Sequence, residues 1–131
     1  MRDEIEAAVK AWQARMGLGD WQVHVVFGPL KDGARAACEA APEYPEMTLY
    51  FDPDLMATKG DTVGGTVPHE MAHGLQWELT QEGLDLCDLL YRDDPKNRAI
   101  AKRRVRRYEE RATSFVQRAL QAAYEAGRKG L

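Results

Sequence analysis

The chain has few of the residues that most quickly reveal a protein's class. Two cysteines occur in 131 residues, Cys38 and Cys87, far apart and outside any C-x-x-C. That spacing argues against a disulfide framework and a cysteine zinc site, and leaves both as small buried hydrophobes. No apolar run approaches the ~20 residues needed to cross a bilayer, so no membrane partner is expected. Met1-Arg2-Asp3-Glu4 leads into an amphipathic pattern without an apolar signal-peptide core, and a cytoplasmic location is the expectation. Excess charge is also missing: the formal net charge is −3, which argues against a dedicated nucleic-acid binder. No repeat, low-complexity tract or linker divides residues 1–131, and the length suits one domain. Histidine is scarce too, with His24, His69 and His73 only. Two of these three stand four residues apart.

The elements read as α+β. Ile5, Ala8, Val9, Trp12 and Met16 form one apolar stripe, predicting a helix over 3–16 that Gly17 and Gly19 stop. Residues 21–27 alternate as a half-buried strand, with Trp21, Val23, Val25 and Phe27 on one face. Residues 34–40 are a weaker strand, with helix as the alternative because of the alanines. Pro42 and Pro45 end it. Residues 46–52 alternate again, with Met47, Leu49 and Phe51 inward, and Asp52-Pro53 closes this third strand. A helix follows to about Thr80. It begins either at a Thr66 cap or near Asp61 with a kink at Pro68, where Gly64-Gly65 makes the longer form costly. Residues 82–96 read as a short helical turn or packed loop. A long helix then runs from about Pro95 to Ala126. The expectation is an N-terminal helix, a small, mainly antiparallel three-stranded sheet, a motif helix and a long C-terminal helix.

The motif is His69-Glu70-Met71-Ala72-His73, an H-E-x-x-H. On a helix, positions i and i+4 share a face, so both imidazoles can bind one zinc ion and leave a position open for water. Glu70 projects about 100° round from His69, where it flanks that water as a general base. A catalytic zinc normally takes three protein ligands. His24 is an isolated strand histidine of the kind that is usually a surface or satisfied core residue, and no histidine follows His73, so the third ligand is expected to be a carboxylate. The candidates are Glu78, Glu82, Asp85, Asp88, Asp93, Asp94, Glu109 and Glu110. On a helical wheel with Val105 at zero, Glu109 falls near +40°, within the apolar stripe of Val105, Tyr108, Ala112, Phe115, Val116, Ala119 and Ala123. Glu110 falls near +140°, toward water. A carboxylate on a buried face needs a partner, and a metal satisfies it. The competing reading of Glu109 is a core salt bridge.

These residues, with Glu109-Glu110-Arg111-Ala112-Thr113-Ser114-Phe115, resemble a compact gluzincin metallopeptidase. The second segment is similar to the E-x-x-A-x-x-F signature of the ImmA/IrrE-like metallopeptidases often found in phages and mobile elements. The resemblance implies one zinc ion held by His69, His73 and Glu109, and hydrolysis of a protein or peptide bond with Glu70 as the base. Pro68 departs from the helix-friendly residue usual there. The strand at 46–52 is expected to be the sheet edge beside the cleft, where an extended peptide would add. Tyr91 and Tyr108 are oxyanion candidates by residue type, with Tyr108 more readily read as packing. Two alternatives stay open: a non-catalytic zinc-stabilised binding module, and a nucleic-acid adaptor using the basic stretch 98–107. That stretch holds Arg98, Lys102, Arg103, Arg104, Arg106 and Arg107. Its plainer reading is a solvated face balanced by Asp85, Asp88, Asp93 and Asp94.

Overall fold

A computed structural model describes residues 1–41 and 44–128. Pro42, predicted to end the second strand, lies outside them. Helix α1 (Arg2–Arg15) buries Ile5, Val9 and Trp12. Gly17, at φ +70°, takes the left-handed turn that ends it. The Gln13 side-chain amide donates to the carbonyls of Leu18 and Trp21 at 3.0 and 2.9 Å, which fixes the exit into the sheet.

The strands are β1 (Gln22–Phe27), β2 (Ala36–Ala40) and β3 (Glu46–Phe51). Strand 34–40 is thus a strand and not a helix. The class is α+β as expected, but the pairing is not mainly antiparallel. β3 lies in the middle, parallel to β1 and antiparallel to β2. Two chain reversals separate β1 from β3 and restore its direction. The middle position also corrects the expectation that 46–52 is the sheet edge. The edges are β1 and β2.

Helix α2 (Pro53–Lys59) is absent from the sequence reading, although its signals are present. Asp52 caps it by accepting from Leu55 N at 3.1 Å, Pro53 occupies its first turn, and Gly60 at φ +76° closes it. Helix α3 (Val63–Leu90) is capped by Thr62, whose hydroxyl accepts from Gly65 N at 3.1 Å. The Thr66 cap is therefore set aside, and the helix also absorbs residues 82–90 of the stretch 82–96 read as a short helical turn or packed loop. Pro68 sits inside it, buried. Proline leaves the carbonyl four residues earlier, that of Gly64, without its helical donor. The Gln121 amide of the next helix donates to that carbonyl at 2.6 Å. After a tight turn, α4 (Pro95–Arg128) runs back antiparallel, with Asn97 N donating to Asp94 at 3.1 Å.

One core joins these parts: Ile5, Val9, Trp12 and Leu18 meet Met47, Leu49, Phe51, Met56, Val67 and Met71, with Leu120 and Tyr124 of α4 against them. Among the described residues, no helix is long and apolar enough to cross a membrane.

Candidate metal centre

His69 and His73 lie one turn apart on α3, their rings edge to face with centroids 4.8 Å apart. Their Nε2 atoms are 3.2 Å from each other. Glu110 reaches across from α4, with Oε1 2.9 Å from His69 Nε2 and Oε2 3.2 Å from His73 Nε2. Metal–nitrogen bonds of about 2.0–2.1 Å in a tetrahedral site imply a ligand–ligand spacing of about 3.3 Å. The two Nε2 atoms fit that spacing, and each has one Glu110 oxygen at a similar distance; taking one oxygen only, the three donors lie within 4.8 Å of one another.

The far side of His73 tells which atoms are free. His73 Nδ1 is 2.5 Å from Glu109 Oε1. A neutral imidazole has one N–H, and the charge-assisted bond to Glu109 claims it at Nδ1. The Nε2 lone pair then faces the other histidine and the Glu110 carboxylate. A proton on His69 Nε2, shared with Glu110, satisfies part of this cluster, and a cation held by all three satisfies the whole of it. Thr113, fully buried, supports the arrangement. Its hydroxyl donates to Glu109 Oε1 at 3.0 Å and accepts from Gln76 Nε2 at 2.8 Å. The chain Gln76–Thr113–Glu109–His73 has the form of an outer shell that orients a ligating histidine.

The structure thus gives Glu109 and Glu110 roles different from those read off the sequence. Glu110 meets both Nε2 atoms, whereas Glu109, expected as the ligand, holds His73 from behind. The cause is the rotation of α4. Tyr108 and Phe115 are 64% and 69% exposed, so the apolar stripe is not the buried face. The buried side runs through Val105, Glu109, Thr113, Val116 and Leu120, about 70° further round the wheel. It brings Glu110 to the α3 seam. The interval of the E-x-x-A-x-x-F signature recurs one residue later, as Glu110, Thr113 and Val116, with its small middle position buried. Thr113 and Gln76 were missed in the sequence. A polar residue one turn after Glu109 was the available signal.

Glu70 points to the sheet side of α3. Burial holds its carboxyl above the ordinary range, and Glu110 and Glu109 add to this against the opposing pull of His73 and His69. With His69 it lines a cleft of about 600 Å³, walled by Ala34, Arg35, Ala36, Asp61, Thr66 and Gln117. Arg35 Nε pairs with Asp61 at 2.6 Å on this wall. The start of edge strand β2 therefore borders the cleft. A smaller cavity behind the site holds Cys38, Glu70, His73, Trp77 and Glu109. Burial, then Glu70, Glu39 and Glu109, push the Cys38 thiol up to about 12, so it stays protonated. Both cysteines are unpaired.

The remaining candidates lie elsewhere. His24 pairs with Glu46 at 2.8 Å on the exposed face of β1. Asp88 binds Lys102 at 3.0 Å, Asp94 caps α4, and Asp93 lies 3.7 Å from Arg92. Glu78, Glu82 and Asp85 are exposed along α3. Tyr91 ends α3, about 27 Å from His73 along the helix, and Tyr108 is an exposed residue rather than packing. Neither lines the cleft. Of the basic stretch, Lys102 is balanced as expected, and Arg98 donates to the Arg92 carbonyl at 3.4 Å. Arg103, Arg104, Arg106 and Arg107 stand exposed without an ion-pair partner among the described residues. No family model, curated protein or solved structure matches the chain.

Proposed function

We propose that the chain is a zinc-dependent metallopeptidase that cleaves a protein or peptide, with His69, His73 and Glu110 as ligands and Glu70 as general base. The observation that carries this reading is the meeting of two Nε2 atoms and a carboxylate within 4.8 Å, beside an independent carboxylate in an open cleft. Zinc, when bound, supplies a Lewis acid for the scissile carbonyl and lowers the pKa of a coordinated water. The chain's own residues do the rest. Glu109 holds the His73 tautomer so that Nε2 keeps its lone pair. Glu70, its carboxyl raised by burial, is placed to take a proton and return it to a leaving amine. The unpaired outer edge of β2 offers main-chain groups to an extended substrate at the cleft wall, in place of β3. Two unpaired cysteines are compatible with a reducing cytoplasm.

Glu70→Gln separates turnover from binding. The variant is expected to keep one equivalent of zinc and to lose peptide cleavage by ~100-fold or more. Equal cleavage by both proteins would reject the assigned chemistry. Zinc binding with no turnover by wild type on broad peptide libraries would leave a zinc-stapled binding module.

A further inference from the structure

The α3–α4 pair carries the candidate centre on one face, and its opposite face is exposed and apolar. Leu79, Leu86 and Leu90 of α3 are 75%, 56% and 73% exposed, and Tyr108 and Phe115 of α4 are 64% and 69% exposed. Their side of the pair follows from helix geometry. Gln76, bonded to Thr113, and Gly83, against Val105, mark the line where α3 meets α4. From that line the three leucines lie roughly 30–70° round α3, whereas Glu70 and Gly74 lie about 130–170° round in the other sense, toward the sheet. On α4, Tyr108 and Phe115 lie about 100–120° from the seam, and Glu110 about 100° the other way. Both apolar stripes therefore point away from the sheet and the metal-binding side chains. Large apolar patches exposed on one face often mark interaction sites, and here the exposed apolar residues fall at 79, 86 and 90 of α3 and at 108 and 115 of α4.

The rims of this face differ in sign. Glu78, Glu82 and Asp85 follow the leucines along α3, at spacings of four and three. Arg104, Arg111 and Arg118 follow the aromatic stripe along α4, every seventh residue. All six are exposed and none has an ion-pair partner among the described residues. A partner that covers the face must set cations over α3 and anions over α4.

A second copy of the chain meets that requirement. A two-fold axis parallel to the helices lays α3 of one protomer over α4 of its partner, antiparallel, and repeats the pairing on the other side. Such an axis keeps height along the helices, so Glu78 and Asp85 of each protomer come level with the partner's Arg111 and the partner's Arg104, and Leu79 comes level with the partner's Tyr108, the pairing occurring twice. A two-fold axis across the helices would stack α3 on α3 and oppose like charges, which is unfavourable. From this we infer that the chain forms an isologous dimer through the outer face of α3 and α4, a four-helix layer with the two clefts facing outward. The face is remote from Glu70 and Glu110, so the inference stands independently of the proposed activity.

Sedimentation velocity tests it. Wild type is expected to be a dimer at tens of micromolar. Phe115→Glu and Leu79→Glu, both at exposed positions, are each expected to weaken association by about 100-fold or more, as central apolar anchors do. Helical circular dichroism and zinc stoichiometry should be unchanged. The charge rows provide a second arm that changes surface residues only. A variant with Glu78→Lys, Glu82→Lys and Asp85→Lys is expected to be monomeric. So is one with Arg104→Glu, Arg111→Glu and Arg118→Glu. Their equimolar mixture is expected to dimerise, because each supplies the row the other then lacks. Wild type that stays monomeric at 100 μM, taken as roughly the weak limit for a specific complex, overturns the inference. So does a single-row variant that dimerises alone. Monomeric wild type that floats with phosphatidylglycerol vesicles would overturn it too and assign the face to a lipid surface.

Discussion

At the scale of single residues, two adjacent glutamates take different places at the candidate centre. Glu110 faces the Nε2 atoms and is 57% exposed at its side chain; Glu109 is 15% exposed and bound to His73 Nδ1. Removing charge from each should therefore differ in kind. On the proposed assignment Glu110→Gln removes a ligand and is expected to weaken zinc binding by ~1,000-fold. On the same assignment Glu109→Gln leaves the ligand set intact and is expected to cost about 10–100-fold, the usual effect of an outer-shell change. Competition titration with a chromophoric chelator measures both. The reverse order, with Glu109→Gln the more damaging, would return Glu109 to the ligand role. Sequence alone could single out His69, Glu70 and His73 because their pattern is local spacing on one helix. It took Glu109 as the third ligand, whereas the geometry brings Glu110 to the Nε2 atoms, because that choice depends on how α4 is rotated. That rotation is set by Thr113 and Gln76 as much as by apolar residues, and a wheel built on hydrophobicity does not count them.

At the scale of elements, the strand alternations at 22–27 and 46–51 were legible, since one face of β3 is buried and one face of β1 is half-buried. Strand order was not, because periodicity says nothing about neighbours. The start of α3 was obscured by two glycines and a proline, and the compensations come from outside the helix, at Thr62 and Gln121. Two glycines of α3 allow a paired test. A methyl group at Gly64 would meet nothing within 4 Å, whereas at Gly74 it would meet Met47 Cε at 2.9 Å and Cys38 Sγ at 3.0 Å. Gly64→Ala is expected to stabilise by roughly 0.5–1 kcal/mol through helix propensity. Gly74→Ala gains the same propensity but overpacks the contact with the sheet, a cost of about 1–3 kcal/mol, and is expected to be net destabilising. Chemical denaturation reads both. A stabilising Gly74→Ala would mean that α3 does not approach β2 and β3 this closely.

At the scale of the whole molecule, the candidate ligands tie the parts of the fold least held by the core. α4 reaches that core chiefly through Leu120 and Tyr124, near its C-terminal end. Its middle is held to α3 by polar groups: Thr113 to Gln76, Glu109 and Glu110 to the histidines, and Lys102 to Asp88. A cation between His69, His73 and Glu110 would cross-link the two helices where hydrophobic packing is thin. Ligand linkage then predicts a large effect on stability. At zinc about 1,000-fold above its dissociation constant, the folded state gains about 4 kcal/mol, which for a domain of this size is roughly 10 °C or more in Tm. Chelation should reverse the gain, and Glu110→Gln should abolish most of it. Hydrogen exchange should localise the change, with zinc slowing amides in the middle of α4 and leaving β1, which the core already holds, unaffected. A melting temperature indifferent to zinc, together with unaltered exchange in α4, would show that the three side chains do not act together on one ion.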